Sequence, residues 1–171
     1  MTPASVLIAG SGVAGLEAVL ALRALAGPRV AVTLLSPELD FAYRAPGVGE
    51  AFSLGHGSRF SLATIAADLD LELLNDGLAD VMPAEHRVRL TGGDVRRFDA
   101  FILATGARQR PAFPSATTYA GDEASRRALS GLLADVEGGY VKRVAFVVPQ
   151  EPSWQFPLYE LAVMTAREAW D

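Results

Sequence analysis

Apolar positions along this chain fall in short blocks separated by glycine, proline and polar clusters, and the spacing inside the blocks changes from one to the next. Residues 5–9 (SVLIA) form a continuous apolar run, the pattern of a strand buried on both faces. Residues 16–27 (LEAVLALRALAG) are rich in alanine and leucine and end at Gly27-Pro28, which predicts a helix and its stop. The β-branched run at 29–35 (RVAVTLL) predicts a second strand. These three blocks have the length of one βαβ unit, about 30 residues. Residues 36–58 carry four glycines and two prolines and read as a long functional loop. Helical spacing returns over 60–69, and residues 71–74 suit a third parallel strand.

The pattern then shortens. Residues 78–82, 87–91 and 95–98 predict three short strands. Thr91-Gly92-Gly93-Asp94 marks a hairpin, because paired glycines accept the positive φ of a tight turn. His86-Arg87-Val88-Arg89-Leu90 alternates as a half-exposed antiparallel strand does. Residues 99–104 (DAFILA) predict another buried strand, 105–121 a loop, 122–136 an amphipathic helix, 141–148 a last strand and 157–170 a last helix. The expected fold class is therefore α/β: a parallel sheet with helices, an inserted three-stranded antiparallel meander, and the start of a second βα unit. Domain boundaries are expected at 1–121, with the meander near 78–98, and 122–171.

Composition narrows the function classes. The 171 residues are half apolar, which suits a folded domain. A formal charge of −5, with Lys142 as the sole lysine, gives no basic face for nucleic acid. The absence of cysteine removes disulfides, thiolate-bound zinc and redox dithiols from this sequence. No metal-ligand spacing occurs. The longest apolar stretch, 13–26, is interrupted by Glu17 and Arg23, so no transmembrane segment is expected. A cytoplasmic, bacterial protein is the default expectation.

The candidate chemistry begins at Gly10-Ser11-Gly12-Val13-Ala14-Gly15, which matches G-x-G-x-x-G between a strand and a helix. In that context Gly10 permits the turn, Gly12 lets a pyrophosphate approach the backbone, and Gly15 allows close helix–strand packing. Amides of the first helical turn then face the phosphates. A plain glycine-rich turn is the alternative. An acidic group is expected after the second strand, to bind a ribose. Ser36 stands where that acid is commonest and Glu38 two residues later, and either could serve. Ala104-Thr105-Gly106 brings small residues to the carboxyl edge of the sheet, as a strand end or as a cofactor contact.

The segments VLIAGSGVAGLEA, LLSPELDFAYRAPGVGE, the meander from Gly77, and DAFILATGARQRP together resemble the FAD-dependent pyridine nucleotide-disulfide-type oxidoreductases. The likeness is to the branch of type II NADH dehydrogenases, sulfide:quinone oxidoreductases and flavocytochrome c sulfide dehydrogenase flavoproteins. It covers essentially all 171 residues and corresponds to the front part of a member, in the Rossmann-like FAD/NAD(P)-binding fold. The resemblance implies that Gly10, Gly12, Val13, Ala14 and Gly15 hold the FAD pyrophosphate and that Ser36 and Glu38 hold the adenosine ribose. It implies that Ala79 meets the adenine through its backbone, that Arg44 lies toward the flavin, and that Ala104, Thr105 and Gly106 flank the cofactor. A glycine loop alone does not separate FAD from NAD; the meander before the ATG strand decides for FAD through the resemblance. The implied activity is electron transfer from a reduced donor to an acceptor such as a quinone or cytochrome.

Two departures modify that expectation. Residues 149–157 (PQEPSWQFP) follow the last strand where the family places a second glycine loop, and they contain no glycine. NAD(P)H binding in the usual way is therefore not expected. Trp154 and Phe156 suit an aromatic plug better than a ligand wall. The sequence also ends inside the second unit, so it reads as truncated and, taken alone, catalytically incomplete. Exposed apolar surface is expected around Phe146, Trp154, Phe156 and Trp170, covered in a homodimer or by a partner subunit.

Two other function classes compete. One is a non-catalytic nucleotide-binding remnant of the same fold. The other, a plain NAD(P)-dependent dehydrogenase, lacks a catalytic set, since Lys142 is too close to Tyr140 for a Tyr-x-x-x-Lys pair. His56 and His86 read as surface residues, and Asp122-Glu123 as helix-capping charges. No catalytic residue is assigned.

Overall fold

The computed structural model describes residues 2–43, 45–52, 54, 57–107, 110–111, 113–148 and 156–169, with the side chains of 45–47 undescribed. The chain forms two compact units: residues 1–42 with 59–107, and residues 43–58 with 108–171.

The first unit is built on a parallel sheet of four strands, β1 (Ala4–Ala9), β2 (Val30–Leu35), β5 (Glu72–Leu74) and β9 (Ala100–Leu103), in the order β5-β2-β1-β9. Pairing is parallel throughout, with Ala4 opposite Val30 and Val6 opposite Ala100. Side chains alternate between faces, and both faces are covered. Val6, Ile8, Val32 and Leu34 pack on one side with Val19 of helix α1 (Val13–Leu25) and Leu62 of helix α2 (Leu62–Asp68). Leu7, Ala9 and Leu35 pack on the other side with Val88, Leu90 and Phe98 of the meander. Burial on both faces is why β1 and β2 read as unbroken apolar runs.

The meander consists of β6 (Leu78–Met82), β7 (Arg87–Leu90) and β8 (Val95–Arg97), antiparallel in that order. In β7, Val88 and Leu90 are buried while Arg89 is exposed, as the alternation requires. The β7–β8 turn closes through the Leu90 amide to the Asp94 carbonyl, 2.8 Å, with Gly93 at φ +97°. At the amino edge of the main sheet, the Asp99 carboxylate accepts the Ser5 amide at 2.7 Å, and the Asp99 amide donates to the Ser5 hydroxyl at 3.0 Å. This exchange holds β9 beside β1.

Two differences from the sequence expectations concern strands. The loop expected over 36–58 contains β3 (Asp40–Tyr43), which pairs with β4 (Ser58–Ser61). Phe60 and Ser61 therefore belong to a strand, and the helix expected from residue 60 begins at Leu62, where the Ser61 hydroxyl caps the Thr64 amide. A Phe41–Phe60 ring pair at 6.2 Å stabilises this short ribbon across its strands.

The second unit packs a 3₁₀ segment, Ala45–Phe52, with α3 (Glu123–Glu137) and α4 (Phe156–Glu168) around Val48, Phe52, Leu129, Leu133 and Leu161. Asp122 caps α3 by accepting the Ser125 amide at 2.8 Å. The second β–α unit comprises the run 141–148 and α4. That run has the residue pattern of a strand but no ladder partner among the described residues, and pairing, not propensity alone, makes a strand. Phe146, expected on the surface, is partly buried against the Leu129–Leu161 core, whereas Phe156 is 70% exposed. Trp154 and Trp170 lie outside the described residues.

Candidate functional site

The sheet's carboxyl edge is the place to look, because parallel strands on opposite sides of the first strand leave a crevice where the order reverses. Here that point lies between β1 and β9. β1 ends at Ala9 and the chain turns at once through Gly10, whose φ is +112°. A Cβ on Gly10 would overlap the carbonyl oxygen of Ala104 and crowd the Thr105 amide nitrogen at 2.9 Å. The Gly10 amide is committed to the Leu35 carbonyl at 2.8 Å, tying the turn to the end of β2.

The other two glycines have different constraints. Gly15 lies in the first turn of α1, and a Cβ there would overlap the Gly10 carbonyl and touch the Ala104 methyl at 3.7 Å. Gly12 is the N-cap of α1, and a Cβ on it would meet nothing within 4 Å. The notch is thus closed on its inner side by backbone and open on its outer side.

The open side carries donors. The Val13, Ala14 and Gly15 amides precede the first intrahelical bond, which runs from the Leu16 amide to the Gly12 carbonyl at 3.0 Å. Val13 and Ala14 are exposed. No acidic residue stands in the first turn of α1, so its own side chains do not offset the positive end of the helix dipole. Open space at Gly12, adjacent helix amides and no carboxylate are what a bound diphosphate requires, and the residues present fit one.

On the β9 side, the Ala104 amide donates to the Ala9 carbonyl at 2.7 Å. Thr105 and Gly106 follow, both exposed, with Gly106 at φ +73°. The fold therefore assembles Gly10, Gly12, Val13, Ala14, Gly15, Ala104, Thr105 and Gly106 at one edge. On the β2 side, Ser36 is fully buried and Glu38 is exposed. The Ser36 hydroxyl lies 2.7 Å from that of Ser11 and accepts the Glu38 amide at 3.1 Å. The Ser36 amide donates to the Leu74 carbonyl at 3.0 Å, and the Asn75 side chain, oriented with its NH2 group toward them, donates to the Ser36 and Pro37 carbonyls at 3.2 and 3.3 Å.

Ala79 is exposed on β6, where the register slips between Leu78 and Asp80. Such a slip interrupts the ladder locally at Ala79. Leu78 and Val81, from the same strand, pack with Ala9 and Leu35 at the ends of β1 and β2. Arg44 and His56 lie outside the described residues. His86 is exposed and adopts a left-handed conformation at φ +52° beside Phe98. Among the described residues, no group of three acidic or histidine side chains could hold a metal.

Sequence reasoning passed over Ser11 and Asn75. Ser11 occupies a position of the glycine loop at which any residue matches. Asn75 follows the third parallel strand, and a polar residue at such a strand end was the available signal.

Comparison with known proteins places the fold. No family model matches the sequence, and no curated protein matches it. Solved structures do. Sulfide:quinone oxidoreductase from Aquifex aeolicus is similar with a TM-score of 0.78 and 19% identity, over 96% of this chain and 39% of that one. NADH:rubredoxin oxidoreductase from Clostridium acetobutylicum is similar with a TM-score of 0.63 and 16% identity, over 98% of this chain and 42% of that one. NDH2 from Plasmodium falciparum, solved with NADH, is similar with a TM-score of 0.63 and 16% identity, over 83% of this chain and 31% of that one. The chain shares the Rossmann-type fold of these structures, and it spans about two-fifths of the length of the first two.

Proposed function

We propose that this chain is the FAD-binding portion of a flavin-dependent oxidoreductase that passes electrons from a reduced donor to an acceptor such as a quinone or cytochrome. The observation that carries this reading is the division of labour among the glycines. Gly10 and Gly15 have no room for a side chain, whereas Gly12 faces open space beside the amides of α1. Those amides, of Val13, Ala14 and Gly15, bind the pyrophosphate and fix the cofactor's register. Glu38 accepts the adenosine ribose hydroxyls, above the buried Ser36. The bulged backbone at Ala79 meets the adenine, and Ala104, Thr105 and Gly106 form a wall without bulky side chains.

FAD, when bound, supplies the electron chemistry; the protein supplies binding, orientation and shielding. NAD(P)H is not assigned to the second unit, because residues 149–157 contain no glycine. That same feature supports a second reading, a nucleotide-binding module without turnover. Exposed Phe156, Tyr159 and Val163 on α4 support association with a second copy or a partner subunit. No helix among the described residues is long and apolar enough to cross a membrane.

The test is the absorption spectrum of the purified protein, before and after denaturation. Flavin bands, with free flavin released on unfolding, support the proposal. Colourless protein that ignores added FAD overturns it. Bound flavin that no NADH, NADPH or sulfide reduces favours the second reading.

A further inference from the structure

We infer that Ser36 is not a cofactor ligand but a positioning residue, which through Ser11 sets the ribose-binding loop in register with the phosphate-binding loop. The inference rests on the FAD-binding reading above and concerns how that site recognises the ribose.

A serine hydroxyl has one proton to donate and two lone pairs. At Ser36 all three have protein partners within reach. The Ser11 hydroxyl lies at 2.7 Å, the Glu38 amide donates at 3.1 Å, and the Glu38 carbonyl lies at 3.3 Å. If Ser11 donates, Ser36 accepts from Ser11 and from the Glu38 amide and gives its proton to the Glu38 carbonyl. With that direction nothing remains for a sugar, and in either direction Ser36, with no exposed surface, offers none to a ligand.

What Ser36 does instead follows from its two neighbours. Ser11 stands between Gly10 and Gly12 in the phosphate loop, and Glu38 carries the exposed carboxylate nearest the end of β2. The backbone at Ser36 is itself fixed, by its amide to Leu74 and by Asn75 on its carbonyl. The hydroxyl pair therefore links a rigid point under β2 to the loop that receives the diphosphate. Diphosphate and ribose are adjacent groups of one ligand, so the spacing of their two binding loops determines whether both can be engaged together. Serine supplies this link without placing a charge in a buried position, where an unpaired carboxylate would be costly.

The experiment compares binding of ADP and 2′-deoxy-ADP to the purified chain and to Ser36→Ala, Ser11→Ala, Glu38→Gln and the Ser36→Ala/Glu38→Gln double variant. Thermal melts check that each is folded. The chain as it stands should prefer ADP by about tenfold, the worth of hydroxyl bonds to a carboxylate. Glu38→Gln should erase most of that preference. Ser36→Ala should also erase most of it, Ser11→Ala part of it, and the double variant little more than either single change. A merely structural role weakens both nucleotides equally, so an unchanged ratio in Ser36→Ala overturns the inference. A ratio lost in Ser36→Ala but kept in Glu38→Gln overturns it differently, by making Ser36 the ligand. Binding of neither nucleotide, nor of FAD, by the unaltered chain would remove the FAD-binding reading itself.

Discussion

The carbonyl oxygen of Ala104 occupies the space that a side chain on Gly10 would need. These residues directly follow the ends of neighbouring parallel strands, and the Ala104 amide also bonds the Ala9 carbonyl at 2.7 Å. The turn at Gly10 is thus shaped by β9 as well as by its own φ of +112°. Gly10→Ala should cost about 2–4 kcal/mol of stability, from a strained φ and a backbone overlap together. Chemical denaturation measures it, and a loss below about 0.5 kcal/mol would mean that the turn relaxes freely.

Gly12 should behave in the opposite way. A Cβ there would meet nothing within 4 Å beyond its chain neighbours, so Gly12→Val should leave the melting temperature within a few degrees of the unaltered chain. It should nevertheless reduce FAD affinity by about a hundredfold or more, because the valine fills the space assigned to the diphosphate. Gly15→Ala should resemble Gly10→Ala, losing stability and binding together. Calorimetry on the three variants separates these outcomes.

Acid should weaken the first unit before it reaches the glycine loop. Hydrogen bonds from Thr91 and then from the Gly77 amide lower the Asp76 carboxyl pKa. The Ser5 amide and hydroxyl do the same for Asp99, and the Arg89 guanidinium does so for Asp80. A depressed folded-state pKa gives stability that is fully present above the unfolded value, about 4, and is lost as pH falls through the folded value. Melting temperature should hold steady down to about pH 5 and then fall. Asp99→Asn should be less stable at neutral pH and show a flatter acid limb. A variant as steep as the unaltered chain would exclude Asp99 as a contributor.

In the second unit, Glu50 and Arg126 form a largely buried pair at 3.0 Å, with side chains 21% and 22% exposed. Glu50 also accepts the Gly57 amide, and Arg126 reaches the Gly121 carbonyl. Glu50→Gln should cost about 1–3 kcal/mol, because the guanidinium keeps its burial and loses its counter-charge. Hydrogen exchange should then accelerate first over residues 45–52 and 121–126. Unchanged protection would mean that apolar packing alone holds the 3₁₀ segment to α3.

Much of the first unit was legible because its signals are local. The apolar runs at β1 and β2, the glycine spacing between them and the alternation in β7 each reflect burial or a turn that nearby residues determine. The ribbon of β3 and β4 was not legible, because its partners are separated by the glycine-rich stretch between Tyr43 and Ser58. The run 141–148 is the reverse case: its residues favour a strand, but among the described residues it has no ladder partner. The part-buried Ser11–Ser36 pair was hidden for a similar reason. Two serines 25 positions apart carry no signal until β1 and β2 lie side by side.

The central claim is that the amides opening α1 clasp a diphosphate in the notch at Gly12. Titration of the purified chain and of Gly12→Val with FAD, followed by flavin fluorescence, tests it most directly. Saturable binding to the unaltered chain, lost in a variant that melts at nearly the same temperature, is the expected result. Equal binding by both proteins would place the cofactor elsewhere, and binding by neither would contradict the assignment.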